Sequence, residues 1–497
     1  MKGLIAIILA CMMLISVSVA IGAEELETPA TVTVTVNGQS VTAKEGDTLS
    51  SICAKAEKQF LFAKVADETV LDPDFAMEEG LRVEIAAIGM RMRENAEIRR
   101  VLPSGVRFLT EINTADLAFV QVLPNVKSIG AGTLIRPFAD LSGEEPIHPA
   151  DEVPFLEIPA DLAHPYQTES NAVVIAGSIV DVKPQNHSRL FAGRGYLTLT
   201  MEDGTAVTRY AAGEAPTGAY GALAAELLKD EESDLTDLAR GFFENVATVM
   251  YRNDLQSLGV LAIGDSLFDG DFLKGNQQWI ALLARACEWD YTNLGRDGWT
   301  VAYNPEAYAD PTKVRNSMYD KLFHDPDYAY GKVGSYSYGS PYGKDPEHVD
   351  LILLEGGTND YGHGIPLGEV DSRDGGTLLG SWNLMIEKLL ADYPNATVVL
   401  VTSWHIVGTR SSDGASRMDF VADGMKAIYE AHYAENERVR LIDGGNPAVT
   451  GIDMSYDLFR YKYSKSVKDV NHLNAEGMKM MADAMLPLLW ETLCGVR

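Results

Sequence analysis

The stretch LGVLAIGDSLFDG at residues 258–270 decides the fold of the C-terminal half. Its apolar residues run on without polar alternation and stop at Gly264, where polar residues take over at once. An unbroken apolar run closed by a turn marks a strand covered on both faces, whereas a strand wet on one face would alternate. The same pattern returns in VDLILLEGG (349–357), ATVVLVTS (396–403) and RVRLID (438–443). Amphipathic, helix-like segments lie between and beyond these runs: NQQWIALLARACEW (276–289), SWNLMIEKLLADY (381–393), RMDFVADGMKAIYEAHYAE (417–435) and NAEGMKMMADAMLPLLWETL (474–493). Buried strands alternating with helices imply that residues 257–497 form an α/β domain, a three-layer doubly wound parallel sheet. In such a sheet the chemistry sits outside the carboxyl ends of the strands.

Four segments at these strand and helix ends are rich in reactive and turn-forming residues. Gly264-Asp265-Ser266-Leu267 follows the first strand, and Asn293 to Thr300 (NLGRDGWT) follows the second. Gly356-Gly357-Thr358-Asn359-Asp360 follows the third, and Asp469-Val470-Asn471-His472 precedes the last helix. A serine hydroxyl needs a base to take its proton as it attacks, and an imidazole, titrating near neutrality, suits that task. A carboxylate three residues before the ring, as Asp469 is before His472, can reach the other ring nitrogen if a turn of irregular or 3₁₀ chain joins them. G-x-S-x-G, H-E-x-x-H and P-loop signatures are absent from the sequence.

In this order the four blocks resemble the SGNH hydrolase superfamily, the GDSL esterases and lipases, over just under half of the chain. The resemblance implies an SGNH or flavodoxin-like fold and a serine hydrolase acting on ester bonds. It assigns Ser266 as nucleophile, His472 as base and Asp469 as its support. It further assigns the oxyanion donors to the backbone N–H of Ser266, that of Gly298 and the side chain of Asn359. Gly298 rather than Gly295 fits, because the family pattern N-x-x-x-x-G-x-T runs from Asn293 to Thr300. A glycine there lets the backbone approach the substrate closely.

Asp265 and Asp360 flank the site and read as loop-orienting. Asp265, Trp299, His363 and His405 are the candidate substrate contacts. No carboxylate and histidine cluster has metal-ligand spacing, so neither a metal nor a cofactor is expected. The segment 303–348 carries eight tyrosines, at 303, 308, 319, 328, 330, 336, 338 and 342, among Gly, Ser, Asp and Pro. So long an insertion is usually functional. Tyrosine offers a flat apolar face with a hydroxyl, which suits sugar rings better than long acyl chains. The preferred substrate is therefore a short-acyl, acetyl-type ester on a carbohydrate such as a cell-wall or plant polysaccharide.

Composition bounds the rest. The 497 residues carry 41 Lys and Arg against 71 Asp and Glu, a formal charge of −30, so nucleic acid and anionic membrane surfaces are repelled. Lys2 followed by the apolar run Leu4–Ile21, small residues and Glu24-Glu25 reads as a signal peptide over residues 1–23, and so as a secreted or cell-surface protein with no stable membrane span after processing. An uncleaved anchor is the alternative. Cys53, Cys287 and Cys494 remain, too few for a disulfide framework and without a C-x-x-C zinc motif.

Residues 31–88 read as a small α+β module: TVTVTVNGQSVTAKEG (31–46) as a hairpin about Asn37-Gly38, TLSSICAKAEKQF (48–60) as a helix, and GLRVEIAA (80–87) as a closing strand. KEGDTLSSICAKA (44–56) with EEGLRVEI (78–85) resembles a LysM module, which binds N-acetylglucosamine polymers, and equally the opening of a β-grasp domain. Residues 89–250 read as a β-sandwich-like accessory domain, from runs such as VRFLTEI (106–112), AFVQVL (118–123), SIGAGTLI (128–135) and NAVVIAGSIV (171–180), with a helix from about Asp234 to Tyr251 leading out. PSGVRFLTEI (103–112) with GRGYLTLTMEDGTAVTRY (193–210) resembles an accessory β-domain of secreted proteins from Gram-positive bacteria. Two other functions fit the same residues. One is a GDSL lipase or an O-acyltransferase with the same site; the other is a cell-wall or glycan-binding protein with the esterase domain secondary.

Overall fold

The structure is a computed structural model that describes residues 31–66, 68–78, 80–138, 155–269, 273, 277–303, 317–323, 332–333, 336–337, 346–403, 417–452, 462–466 and 469–495. The signal-peptide segment 1–23, His405 and most of the tyrosine-rich insertion lie outside the described residues. The chain divides into two compact units, one of residues up to Asp181 with Arg189–Ala219, the other of Val182–Ser188 with Tyr220–Arg497. Among the described residues no helix is long and apolar enough to cross a membrane.

In the first unit the hairpin Thr31–Val36 and Gln39–Lys44 turns at Asn37 and Gly38, both at positive φ, the geometry that Asn-Gly favours. A helix, Leu49–Lys55, follows, N-capped by Thr48, whose hydroxyl accepts from Ser51 N at 3.2 Å. These elements belong to a five-stranded mixed sheet in the order Gln39–Lys44, Thr31–Val36, Val83–Ile88, Gln59–Val65, Glu68–Val70, with the second and third strands parallel. Two five-stranded antiparallel sheets follow. They meet face to face, and glycines make the close approach possible: a Cβ on Gly193 would fall 2.2 Å from the ring of buried Phe108, and one on Gly177 2.2 Å from buried Thr133.

AFVQVL, expected as a strand, lies instead largely in the helix Thr114–Gln121. Asn113 caps that helix by accepting from Asp116 N at 3.0 Å, and Leu117 and Val120, three apart on one face, are its buried apolar residues. The helix expected from about Asp234 to Tyr251 spans Asp237–Asp254, and with the helix Tyr220–Lys229, in a stretch expected to be β-rich, it belongs to the second unit. The longer one buries the stripe Phe243, Val246, Ala247 and Met250. Its far end meets the last helix, where Trp490 Nε1 donates to Asp254 Oδ2 at 2.6 Å. This second unit therefore starts ahead of residue 257.

The second unit is built on five parallel strands: Gly259–Ile263, Asp290–Asn293, Leu351–Leu354, Thr397–Val401 and Val439–Ile442. Their spatial order, numbered along the chain, is 2-1-3-4-5. Each residue of the first and third strands is buried, as unbroken apolar runs require of strands covered on both sides. Helices Trp279–Ala286, Leu378–Asp392, Arg417–Ile428 and Ala475–Cys494 accompany the sheet. The order reverses between the first and third strands, so the crevice such sheets offer to ligands opens at their carboxyl ends. This is the α/β arrangement expected for the C-terminal half.

Gly259 fixes how these two strands enter the sheet. A Cβ there would stand 1.8 Å from the carbonyl oxygen of His348, a backbone atom that cannot move without displacing the third strand. Gly259→Ala is expected to destabilise the second unit by about 1–3 kcal/mol through overpacking, read as a lower denaturation midpoint.

Candidate active site

The first strand ends at Ile263, and Gly264-Asp265 turn the chain into the four-residue helix Ser266–Asp269. The turn is tight: a Cβ on Gly264 would lie 2.8 Å from the Phe268 ring. Ser266 is buried except for a small opening. Its Oγ lies 2.9 Å from Nε2 of His472, which comes from 206 residues further along the chain. His472 is carried by the strand Asp469–Leu473, paired with Ser464–Ser466 and followed by the last helix, whose cap Asn474 accepts from Gly477 N at 2.9 Å. The pairing is irregular, with Ser464 opposite Leu473 and Ser466 opposite Asp469, so the register shifts across the segment that holds His472. The side chain of Asp469 lies outside the described residues.

The loop after the second strand is tied to the serine helix. Asn293 Nδ2 donates to Phe268 O at 2.8 Å while its Oδ1 accepts from Gly295 N at 2.9 Å. Asp269 Oδ2 accepts from Asp297 N at 2.9 Å. The next residue, Gly298, is exposed and at φ +75°, a conformation that disfavours any side chain. Beyond the third strand, Asn359 Nδ2 donates to Trp299 O at 2.8 Å, which brings the amide beside the Gly298 segment. Fully buried Asp360 accepts from Val301 N at 2.7 Å and Ala302 N at 2.9 Å. Burial pushes its carboxyl up to about 7, against the two N–H groups, which favour the ionised form. Asp360 therefore holds the far end of the loop that carries Gly298.

The structure thus brings Ser266 and His472 together and sets Asn359 beside Gly298 on the neighbouring strand end. Other candidates fall elsewhere. Asp265 is completely buried, with Oδ1 accepting from Leu267 N at 3.0 Å, so its carboxyl faces protein and not a substrate. Trp299 packs its indole into the core with Val301, Met318 and Leu378, and is a core residue rather than an open sugar platform. His363 is exposed at the end of the helix Thr358–Gly362.

Two residues that the sequence reading passed over lie directly under the site. Glu355 ends the third strand 2% exposed, and its Oε1 accepts from the hydroxyl of Ser403, itself buried at the end of the fourth strand. The sequence carried a signal for it: an acidic residue closing the otherwise apolar run LILLE, where a buried charge needs a reason.

The family model described as GDSL-like lipase/acylhydrolase matches residues 262–480. No curated protein matches the chain. Among solved structures, a member of the lipolytic G-D-S-L family from Veillonella parvula is 17% identical, covering 47% of this chain and 98% of its own at a TM-score of 0.31. A carbohydrate acetylesterase family member from Sinorhizobium meliloti is 18% identical, covering 48% and 99% at a TM-score of 0.30. A family two carbohydrate esterase from Cellvibrio japonicus is 13% identical, covering 82% and 96% at a TM-score of 0.31.

Asp360→Ala strands two buried backbone donors and is expected to cost about 1–3 kcal/mol for each. The raised carboxyl also carries a pH signature. Between its ordinary 3.8 and about 7 the folded state binds the proton and the unfolded chain does not, so this group's contribution to stability falls as pH rises through that window. Denaturant titrations between pH 4 and 7 should show a shallower decline in Asp360→Asn than in the wild type.

Proposed function

We propose that residues 262–480, which the GDSL-like lipase/acylhydrolase model matches, form an ester-hydrolysing domain with Ser266 as its nucleophile, and that the protein is a secreted esterase of short-acyl, carbohydrate-borne esters. The observation that carries the catalytic assignment is the 2.9 Å approach of Ser266 Oγ to His472 Nε2 at the carboxyl end of the first strand. With its proton on Nδ1, His472 accepts the serine proton at Nε2 as Oγ bonds to the ester carbonyl carbon. Asp469, three residues ahead on the same strand, is the proposed support of the ring.

The carbonyl oxygen becomes an oxyanion, and the proposed donors to it are the N–H of Ser266, the N–H of Gly298 and Asn359 Nδ2. An amide nitrogen has two hydrogens. One is donated to Trp299 O and fixes the group, leaving the second for the oxyanion. Collapse of the intermediate breaks the ester C–O bond, and His472 returns its proton to the leaving alcohol. Water then attacks the acyl-serine, giving its proton to His472; as the acyl C–Oγ bond breaks, His472 returns that proton to Ser266 Oγ and the carboxylic acid leaves.

The substrate class rests on the tyrosine-rich, leucine-poor segment 303–348. Export rests on the basic and apolar N-terminus, and the small module at 31–88 is read as a spacer or glycan anchor that would raise the local concentration of an insoluble substrate.

Hydrolysis of p-nitrophenyl acetate, butyrate and palmitate tests the reading. Rates should fall with chain length and vanish in Ser266→Ala, and Asn359→Ala should lose about 100- to 1,000-fold in kcat. Unchanged activity in Ser266→Ala would remove the nucleophile assignment.

A further inference from the structure

Beneath the nucleophile lie two buried carboxyl groups. Asp265 is 0% exposed and Glu355 2% exposed, and they close the first and third strands, which pair side by side, with Glu355 N donating to Ile263 O at 3.0 Å. Each uses one oxygen conventionally: Asp265 Oδ1 accepts from Leu267 N, and Glu355 Oε1 from Ser403. The other oxygen of each, Asp265 Oδ2 and Glu355 Oε2, is buried with no partner at hydrogen-bond geometry, and the Asp265 backbone N–H is the protein group that bears on the Glu355 carboxyl. Two buried carboxylates cannot both stay ionised side by side, and one proton placed between them would satisfy both orphaned oxygens.

We propose that Glu355 carries this proton and donates it to ionised Asp265, making the pair a positioning device that fixes the Asp265-Ser266 turn and keeps one negative charge behind His472. The assignment of the proton follows from the surroundings. Ser403 donates to Glu355 Oε1 and Leu267 N–H to Asp265 Oδ1, each favouring charge on its own carboxyl, so the oxygens left to share a hydrogen are Glu355 Oε2 and Asp265 Oδ2. Burial and then the charge of Asp265 hold Glu355 well above the ordinary carboxylate range, while Asp265, raised chiefly by burial, is pushed up only to about 6. The groups that face Asp265 electrostatically are Glu355 from the third strand, His472 from the last hairpin, Asp297 from the loop after the second strand and Asp360 from the helix after the third. Of these only His472 gains positive charge during the proposed reaction, so the charge on Asp265 favours the imidazolium. Neither carboxyl touches substrate, and both act through Ser266 and His472. This inference rests on Ser266 and His472 being the nucleophile and base.

The test combines infrared spectroscopy with kinetics on the full-length chain. Glu355→Gln replaces the protonated acid by a neutral donor of the same shape. It should restore most of the activity lost in Glu355→Ala, in which displacement of the turn is expected to lower kcat by about 100-fold. At a pH above the Asp360 range, the wild type should show the carbonyl band of a protonated carboxylic acid, and Glu355→Gln should lack it. Asp265→Asn removes the charge behind His472 and should move the acid limb of the kcat/KM profile to lower pH, while Glu355→Gln leaves that limb in place.

A wild type without the band, a band that survives in Glu355→Gln, or an acid limb unmoved in Asp265→Asn would each overturn the pair. So would a folded Glu355→Gln as impaired as Glu355→Ala. The infrared band does not depend on turnover, so failure of the esterase reading, seen as activity persisting in Ser266→Ala, is distinguishable from failure of the proton-sharing pair.

Discussion

The parallel pairing of Gly259–Ile263 with Leu351–Leu354 is the constraint on which the site depends. It sets side by side two strand ends about ninety positions apart in sequence, and each carries candidate site residues: Asp265 and Ser266 on one, Glu355, Asn359 and Asp360 on the other. The strand order reverses at this pair, so no further strand end crowds the crevice from above. The loop after the second strand is drawn in through Asn293 and Asp269, and the last hairpin delivers His472. Chain segments with no local reason to meet converge because a buried parallel sheet leaves them no other arrangement.

Acidity is concentrated where water is excluded. Asp265, Glu355 and Asp360 are all essentially buried, and burial is the first cause of the upward displacement of each. Buried carboxyls are costly unless paired or hydrogen-bonded. Here each is answered differently: Asp360 by two backbone N–H groups, Glu355 by a serine hydroxyl, Asp265 by a backbone N–H. The same bonds stiffen the turns on either side of the serine. In the proposed reaction rigidity of this kind spares the oxyanion donors any reorganisation as charge develops.

Much of the C-terminal half was legible in its sequence because burial on both faces writes an unbroken apolar run, and four such runs located four strands. The short second strand, Asp290–Asn293, is the exception, being polar and only partly buried at the edge of the sheet. The first unit was harder. The apolar residues of AFVQVL fit a strand as well as a helix, and a local cap at Asn113 decided for helix. The helix Asp237–Asp254 was legible from its amphipathic stripe, but such a stripe states that a helix packs and not against what, and only the fold groups it and Tyr220–Lys229 with the parallel sheet.

From the sequence alone came the order of the candidate site residues, their place at strand and helix ends and the parallel α/β class of the C-terminal half, since these follow from periodicity and side-chain type. Tertiary structure alone decided that Ser266 and His472 meet at 2.9 Å, that Trp299 belongs to the core, and that Asp265 faces inward toward Glu355. Distances between residues far apart along a chain, and the burial that displaces a carboxyl, are properties of packing, and no local pattern of residues encodes them.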